Sequence, residues 1–327
     1  MAMAQERILP AWPIFVVIAV AVATLATLGV ERGYTGAPAA VTLVFLAVLS
    51  AGYLLPATRR FGGIGGPGFS AAFAFSWAGA IFVLYLSYAA VTQTFGPWPT
   101  AKVALYVALP CALLWRRPSS RSGWQEYLAV LSLWLPLQFQ WMRDAWAWPT
   151  WRLAQPLGQI FAVNVGIICF LVLRRLEGVG YRFHWPKGSS HRVAWNLVVL
   201  MALLVPLGTA LDFVRFGTST RKLISIPLVF LGLFVFTAWT EEFLFRGIIQ
   251  NVLRRSLGSD WGALAIASVC FGLAHLNSGH RWNWQFAVMA GVAGVFYGWT
   301  WMVTKSLAPA AALHALVDVI WKTFLRG

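Results

Sequence analysis

Apolar residues run through this chain in long blocks separated by short polar connections, not in the alternating or one-faced patterns of a water-soluble domain. A helix needs about 20 apolar residues to cross the hydrocarbon layer of a bilayer. By that measure the blocks predict spans at 11–30, 37–56, 70–92, 101–115, 124–139, 156–173, 193–211, 223–250, 261–276, 285–303 and 309–323. Segments 101–115 and 124–139 are short, which suits a tilted, re-entrant or interfacial helix. The ten-residue alternating stretches of a membrane β-barrel are absent. Because lipid offers the backbone no hydrogen-bond partner, only helices remain as the spanning element. The pattern predicts an all-α integral membrane protein, a polytopic bundle of about 10–11 transmembrane helices.

Two polar and aromatic breaks organise the blocks. Residues 140–155 carry Trp141, Trp146, Trp148 and Trp151, as expected of an interfacial belt where indole rings meet lipid headgroups. Residues 174–192 form the longest polar connection and divide the chain into 1–185 and 186–327. No span before that division carries an acidic residue at mid-membrane depth, and three acids lie in spans after it. Alternate connections hold more Lys and Arg on the side of the N-terminus, which predicts a cytoplasmic N-terminus. The first block, preceded by Arg7, exceeds a signal-peptide core and is expected to be a retained anchor. No internal repeat is evident, which gives no support to a transporter built from repeated halves. The run FGGIGGPG (61–68) lacks the following Lys-Ser/Thr of a phosphate loop and is expected to be a turn.

Composition agrees with these blocks. Hydrophobic residues make up 59% of the 327 positions and charged ones 11%, with a mean hydropathy of +0.70. That leaves too little polar side chain to coat a water-facing globule. The formal charge of +15 sits mostly at the ends of apolar blocks, in basic runs no longer than two residues. It reads as membrane flanking, with no nucleic acid as partner. Cys111, Cys169 and Cys270 fall in apolar blocks without CxxC spacing and are expected to be buried free thiols, not a disulfide frame or zinc site.

The acids inside the membrane carry the chemistry. Charge at mid-bilayer costs about 2.5–3.5 kcal/mol on insertion scales and marks function. Glu241, Glu242 and Asp318 all lie in spans. Glu242 and Arg246 share a helix face in the order that favours an ion pair, while Glu241 points about 100° away. Glu241 is then free for other work; alternatively all three form one interhelix clamp. His275 and His314 also lie in spans. A turn at Leu257–Asp260 places Glu241 and His275 at nearly equal depth on antiparallel helices. Asp318 is one turn beyond His314 on the same face. These groups can converge in a low-dielectric pocket able to activate water.

The order EExxxR (Glu241, Glu242, Arg246), FxxxH (Phe271, His275) and HxxxN/D (His314, Asp318) resembles the CAAX-protease and bacteriocin-processing family, also called Abi proteins. The resemblance covers roughly residues 190–325 and leaves the N-terminal 1–185 bundle without an assigned role. It implies a glutamic-type intramembrane endopeptidase with its core in 186–327. By carry-over, Glu241 activates water with His275, while His314 and position 318 stabilise the oxyanion. Glu242 and Arg246 are implied as supporting residues. It further implies metal-free chemistry, no cofactor, and a membrane-anchored protein or peptide substrate cut near its C-terminus or anchor, within the lipid bilayer. For a bacterial chain the setting would be the cytoplasmic membrane.

The chain departs from relatives that carry Asn at the last motif position. Ionised Asp318 is acceptor-only and cannot donate to an oxyanion. Either it is kept protonated or it orients His314; the second is expected, since it needs no unusual proton. Three other functions fit the same residues. Glu241, His275, His314 and Asp318 are competent zinc ligands, although HExxH spacing is missing. The cluster would also suit an immunity-type scaffold or a proton-relaying transporter. Gly294 and Gly298 form GxxxG and are expected to mark a close helix contact inside the bundle.

Overall fold

The computed structural model describes residues 9–58, 69–115, 122–277 and 282–325. The FGGIGGPG run, His280 and Arg281 lie outside these residues. Each apolar block forms a helix: α1 (Trp12–Glu31), α2 (Gly36–Leu54), α3 (Ala71–Val91), α4 (Pro97–Leu114), α5 (Trp124–Gln138), α6 (Trp151–Gly166, continued by wider π-type turns over Ile167–Leu173), α7 (Ser189–Ala210), α8 (Ile226–Leu257), α9 (Asp260–Ala274), α10 (Trp284–Thr304) and α11 (Leu307–Leu325). Among the described residues no strand forms, and nine helices are long and apolar enough to cross a membrane. The two that fall short are α5 and α9, of 15 residues each. At 1.5 Å per residue these reach only about 22 Å. The segment expected to be short at 101–115 instead starts earlier, at Pro97, and gains a full span.

The chain divides into two compact units, one from Leu9 to Glu177 and one from Gly178 to Gly327. The first is built on α1–α6 and is held by two polar contacts buried among apolar side chains. Arg174 pairs with Glu126, both almost fully buried. Asn164 donates to the backbone carbonyls of Leu49 and Ile160. The belt expected at 140–155 is only partly a belt. Trp141 is exposed, but Trp146 is 3% exposed and sits among Phe45, Tyr85, Tyr88 and Phe161 at ring distances of 5.3–5.9 Å. Its indole is core because those rings pack around it more fully than a headgroup layer would. Cys111 and Cys169 are buried free thiols with sulfurs 3.4 Å apart, whereas Cys270, expected to be buried as well, is a partly exposed free thiol.

In the second unit, the segment Gly178–His184 is pinned through its backbone. The carbonyl of Gly180 accepts from Leu307 N, that of Val179 from Trp301 Nε1, and that of His184 from Ser306 Oγ. Gly180 has φ of +73°, and a Cβ there would stand 2.8 Å from the Lys305 carbonyl oxygen. Only glycine takes this turn without strain. Tyr181 and Phe183 then pack on Trp239 of α8, two residues before Glu241.

α9 and α10 approach at backbone distance. A Cβ on Gly272 would lie 2.6 Å from the Ala287 carbonyl oxygen, and one on Gly298 would collide with Leu264. Small residues permit this approach, which is what drives helix association where lipid is as apolar as leucine. The GxxxG pair thus marks a contact inside the bundle. α8 and α9 are joined by a turn through Gly258, whose φ is +65°.

Candidate active site

Glu241 and Glu242 lie in the middle of α8, on one turn (Trp239–Glu242) flanked by wider π-type turns at Phe234–Ala238 and Phe243–Gln250. Such turns are rare and recur at functional sites. Here they leave the two adjacent carboxylates facing different partners.

Glu242 is fully buried and makes two contacts. Its Oε2 stands 3.1 Å from Arg246 Nε, and its Oε1 accepts from His314 Nδ1 at 2.8 Å. Arg246, 1% exposed, also donates to the carbonyl of Gly294 on α10 at 3.1 Å. Its guanidinium lies 4.4 Å from the centre of the Phe271 ring, a cation–π contact. A buried carboxylate and guanidinium are thus matched in charge and bonded to two neighbouring helices.

Glu241 is free of that pair. Its Oε2 lies 3.9 Å from His275 Nε2 and 3.9 Å from His314 Nε2, and this buried oxygen accepts no hydrogen bond. His275 closes α9, and its Nδ1 lies 2.8 Å from the Phe271 carbonyl oxygen. A carbonyl only accepts, so Nδ1 carries the proton. In the neutral ring, Nε2 then presents a lone pair toward Glu241. Two acceptors 3.9 Å apart are too far for direct bonding, and the spacing suits one bridging water that donates to both.

His314 is fixed on three sides. Glu242 holds Nδ1, the Tyr297 ring stacks on the imidazole at 4.6 Å, and Phe271 meets it edge-on at 5.6 Å. Nε2 is thereby aimed at Glu241 and, at 3.8 Å, at Asp318 Oδ2. The expected orienting role of Asp318 is not what this geometry gives. The acceptor that holds His314 is Glu242, because its side chain reaches across from α8 to Nδ1 while Asp318 faces the opposite ring nitrogen beyond bonding distance.

The residues singled out from the sequence therefore lie together, Glu241, His275, His314 and Asp318 around one point and Glu242 with Arg246 behind it. The Tyr297 ring stacked on His314 had no signal in the spacing. The Phe271 carbonyl is foreshadowed by the four-residue step to His275. Among the described residues, no three His, Cys, Asp or Glu side chains are grouped as metal ligands would be. Burial divides the cluster: Glu242, Arg246 and His314 are closed off, while Glu241, His275 and Asp318 keep 21%, 16% and 29% side-chain exposure. The site has a buried floor and an open mouth.

Residues 223–320 match the family model of the type II CAAX prenyl endopeptidases, described as Rce1-like. The segment spans α8 to α11 and contains every side chain of the cluster. The resemblance carried by EExxxR, FxxxH and HxxxN/D is thus borne out for this part of the chain: a multi-pass helical membrane protein with a CAAX-endopeptidase-type segment around the site. No curated protein and no solved structure matches the chain.

Proposed function

We propose that the protein is an intramembrane endopeptidase that hydrolyses a peptide bond near the C-terminus or membrane anchor of a membrane-associated substrate. The observation that carries this is the spacing of Glu241 Oε2 from both imidazole Nε2 atoms, 3.9 Å each, at the open end of a buried polar cluster.

In the reaction, one water donates to Glu241 and to His275 Nε2, leaving a lone pair for attack. Glu241 takes the water's proton as oxygen bonds to the scissile carbonyl carbon, and the π pair moves onto the carbonyl oxygen. His314, donating from Nε2–H in its protonated form, faces that oxyanion. The intermediate collapses, the C–N bond breaks, and the leaving amine takes the proton held by Glu241. Atoms and charges return to the starting state, and no covalent enzyme intermediate forms. Asp318 lines the mouth and faces the same His314 nitrogen. Arg246 and Glu242 set the position of His314 from behind.

The matched family is described as type II CAAX prenyl endopeptidases, which supports a substrate that is itself lipid-anchored. The test uses purified full-length protein, treated with chelator and reconstituted into vesicles with membrane-anchored peptides. Mass spectrometry is expected to find cleavage at one discrete bond. Cleavage that needs added zinc would overturn the metal-free chemistry; proton flux without hydrolysis, or binding alone, would overturn the protease reading.

A further inference from the structure

Cys111 lies in the last turn of α4, and Cys169 lies in the π-type turns that continue α6. The Cys111 carbonyl accepts from Trp115 N, just past the end of α4, and the Cys169 carbonyl accepts from Arg174 N, just past the end of those turns. At 1.5 Å per residue, both thiols lie roughly 6–8 Å inside the ends of their helices. The two residues are 3% and 0% exposed, and their sulfurs stand 3.4 Å apart in an S–H···S hydrogen bond. Both belong to the first unit, and the chemistry proposed at Glu241 makes no use of them. A single buried cysteine is simply a small hydrophobe. Two that meet across a pair of helices can do more. An S–S bond is about 2 Å long, so closing one takes an approach of about 1.4 Å, shared between two side-chain rotations. The turns that carry Cys169 are also of the rare kind that recurs at functional sites.

We propose that Cys111 and Cys169 are a peroxide-oxidisable pair, forming a reversible disulfide that ties α4 to the continuation of α6. This stands independently of the endopeptidase reading. Hydrogen peroxide is small and uncharged, so it enters an apolar layer that keeps out charged oxidants such as glutathione disulfide. When one thiol loses its proton, the S–H of the other points at it and shares the charge. The charged sulfur attacks a peroxide oxygen, the O–O bond breaks, and the departing hydroxide takes up the released proton as water. The sulfenic acid so formed already faces the second sulfur. That sulfur attacks it, the S–O bond breaks, and hydroxide leaves with the second thiol proton as water. Two thiols give up two electrons, and one peroxide becomes two waters. Contact between the sulfurs stops the oxidation at the disulfide, before further peroxide can act. Cys270 is the only cysteine of its unit and has no thiol there to resolve it. The new bond links residues 58 apart, a loop that contains α5, and so constrains the unfolded chain.

The experiment uses reduced full-length protein in phosphatidylcholine vesicles, treated with hydrogen peroxide, quenched with a thiol-alkylating reagent and digested without reductant. Mass spectrometry is expected to find the Cys111 and Cys169 peptides joined, and dithiothreitol to separate them. Thermal unfolding of the oxidised protein is expected to shift upward by about 4 °C or more and to return on reduction. Cys111→Ala and Cys169→Ala should each lose both the joined peptides and the shift. The wild-type peptide map does not depend on either variant folding. Both thiols found alkylated when Cys270 is already oxidised would overturn the proposal. So would joined peptides that form only in protein unfolded before peroxide is added, or a shift that persists in Cys111→Ala. A disulfide that leaves the unfolding temperature unchanged would overturn its role as a tie between the helices.

Discussion

Neutralising one member of the Glu242–Arg246 pair should damage the protein more than neutralising both. Glu242 Oε2 and Arg246 Nε stand 3.1 Å apart with almost no exposure on either side chain, so water does not screen a charge left alone there. Removing one partner of a buried pair costs about 3–5 kcal/mol, because the other stays charged and desolvated. At about 1.4 kcal/mol per tenfold, that is roughly a hundredfold to several-thousandfold shift in the folded-to-unfolded ratio. Glu242→Gln and Arg246→Met should each fall in this range. In the double variant no charge is left uncompensated, and the remaining losses are hydrogen bonds to His314 and to the Gly294 carbonyl, about 1 kcal/mol each. Equilibrium unfolding of the full chain in mixed micelles should show the double variant more stable than either single one. The coupling should exceed about 3 kcal/mol. Additive singles would refute the view that these charges stabilise mainly by cancelling each other.

Three further outcomes follow from the same geometry. His314→Ala should abolish measurable peptide hydrolysis, whereas Asp318→Asn should keep it, because the amide can still face His314 Nε2 and gains a donor toward the oxyanion; an inert, folded Asp318→Asn would contradict this. Gly272→Ala should lower stability by about 1–3 kcal/mol in thermal unfolding, since its Cβ meets the Ala287 carbonyl oxygen at 2.6 Å and the two backbones must separate. Tyr297→Leu, which removes the ring stacked on His314 while keeping bulk, should lower kcat more than it raises KM, as measured on a membrane-anchored peptide; a change in KM alone would show that the ring contacts substrate instead.

Much of this was legible because lipid leaves the chain few options. Eleven apolar blocks became eleven helices with bounds up to seven residues from those expected, since a span needs a minimum length and lipid leaves the backbone no alternative to a helix. The pairing of depths was legible too. Counting outward from the turn at Gly258 placed Glu241 beside His275, and the helices met there. Less legible was which atom faces which. Four-residue spacing groups His314 with Asp318 and Glu242 with Arg246, yet the hydrogen bond that fixes His314 comes from Glu242 on another helix. Side-chain periodicity identifies neighbours on one helix and is silent on contacts across a gap. The docking of Gly178–His184 was hidden for a related reason, since it runs through backbone carbonyls that look alike in every sequence. Trp146 misled because an indole near a helix end suits a headgroup layer and an aromatic core equally well.

The most direct test of the account is kcat for Glu241→Gln beside wild type, on one membrane-anchored peptide in the same vesicles. The substitution keeps the shape of the side chain and removes its ability to take a proton. General-base catalysis contributes about 10²–10⁴-fold, so kcat should fall by at least a hundredfold with the fold intact. Turnover equal to wild type would show that the carboxylate beside the two imidazoles is not the base.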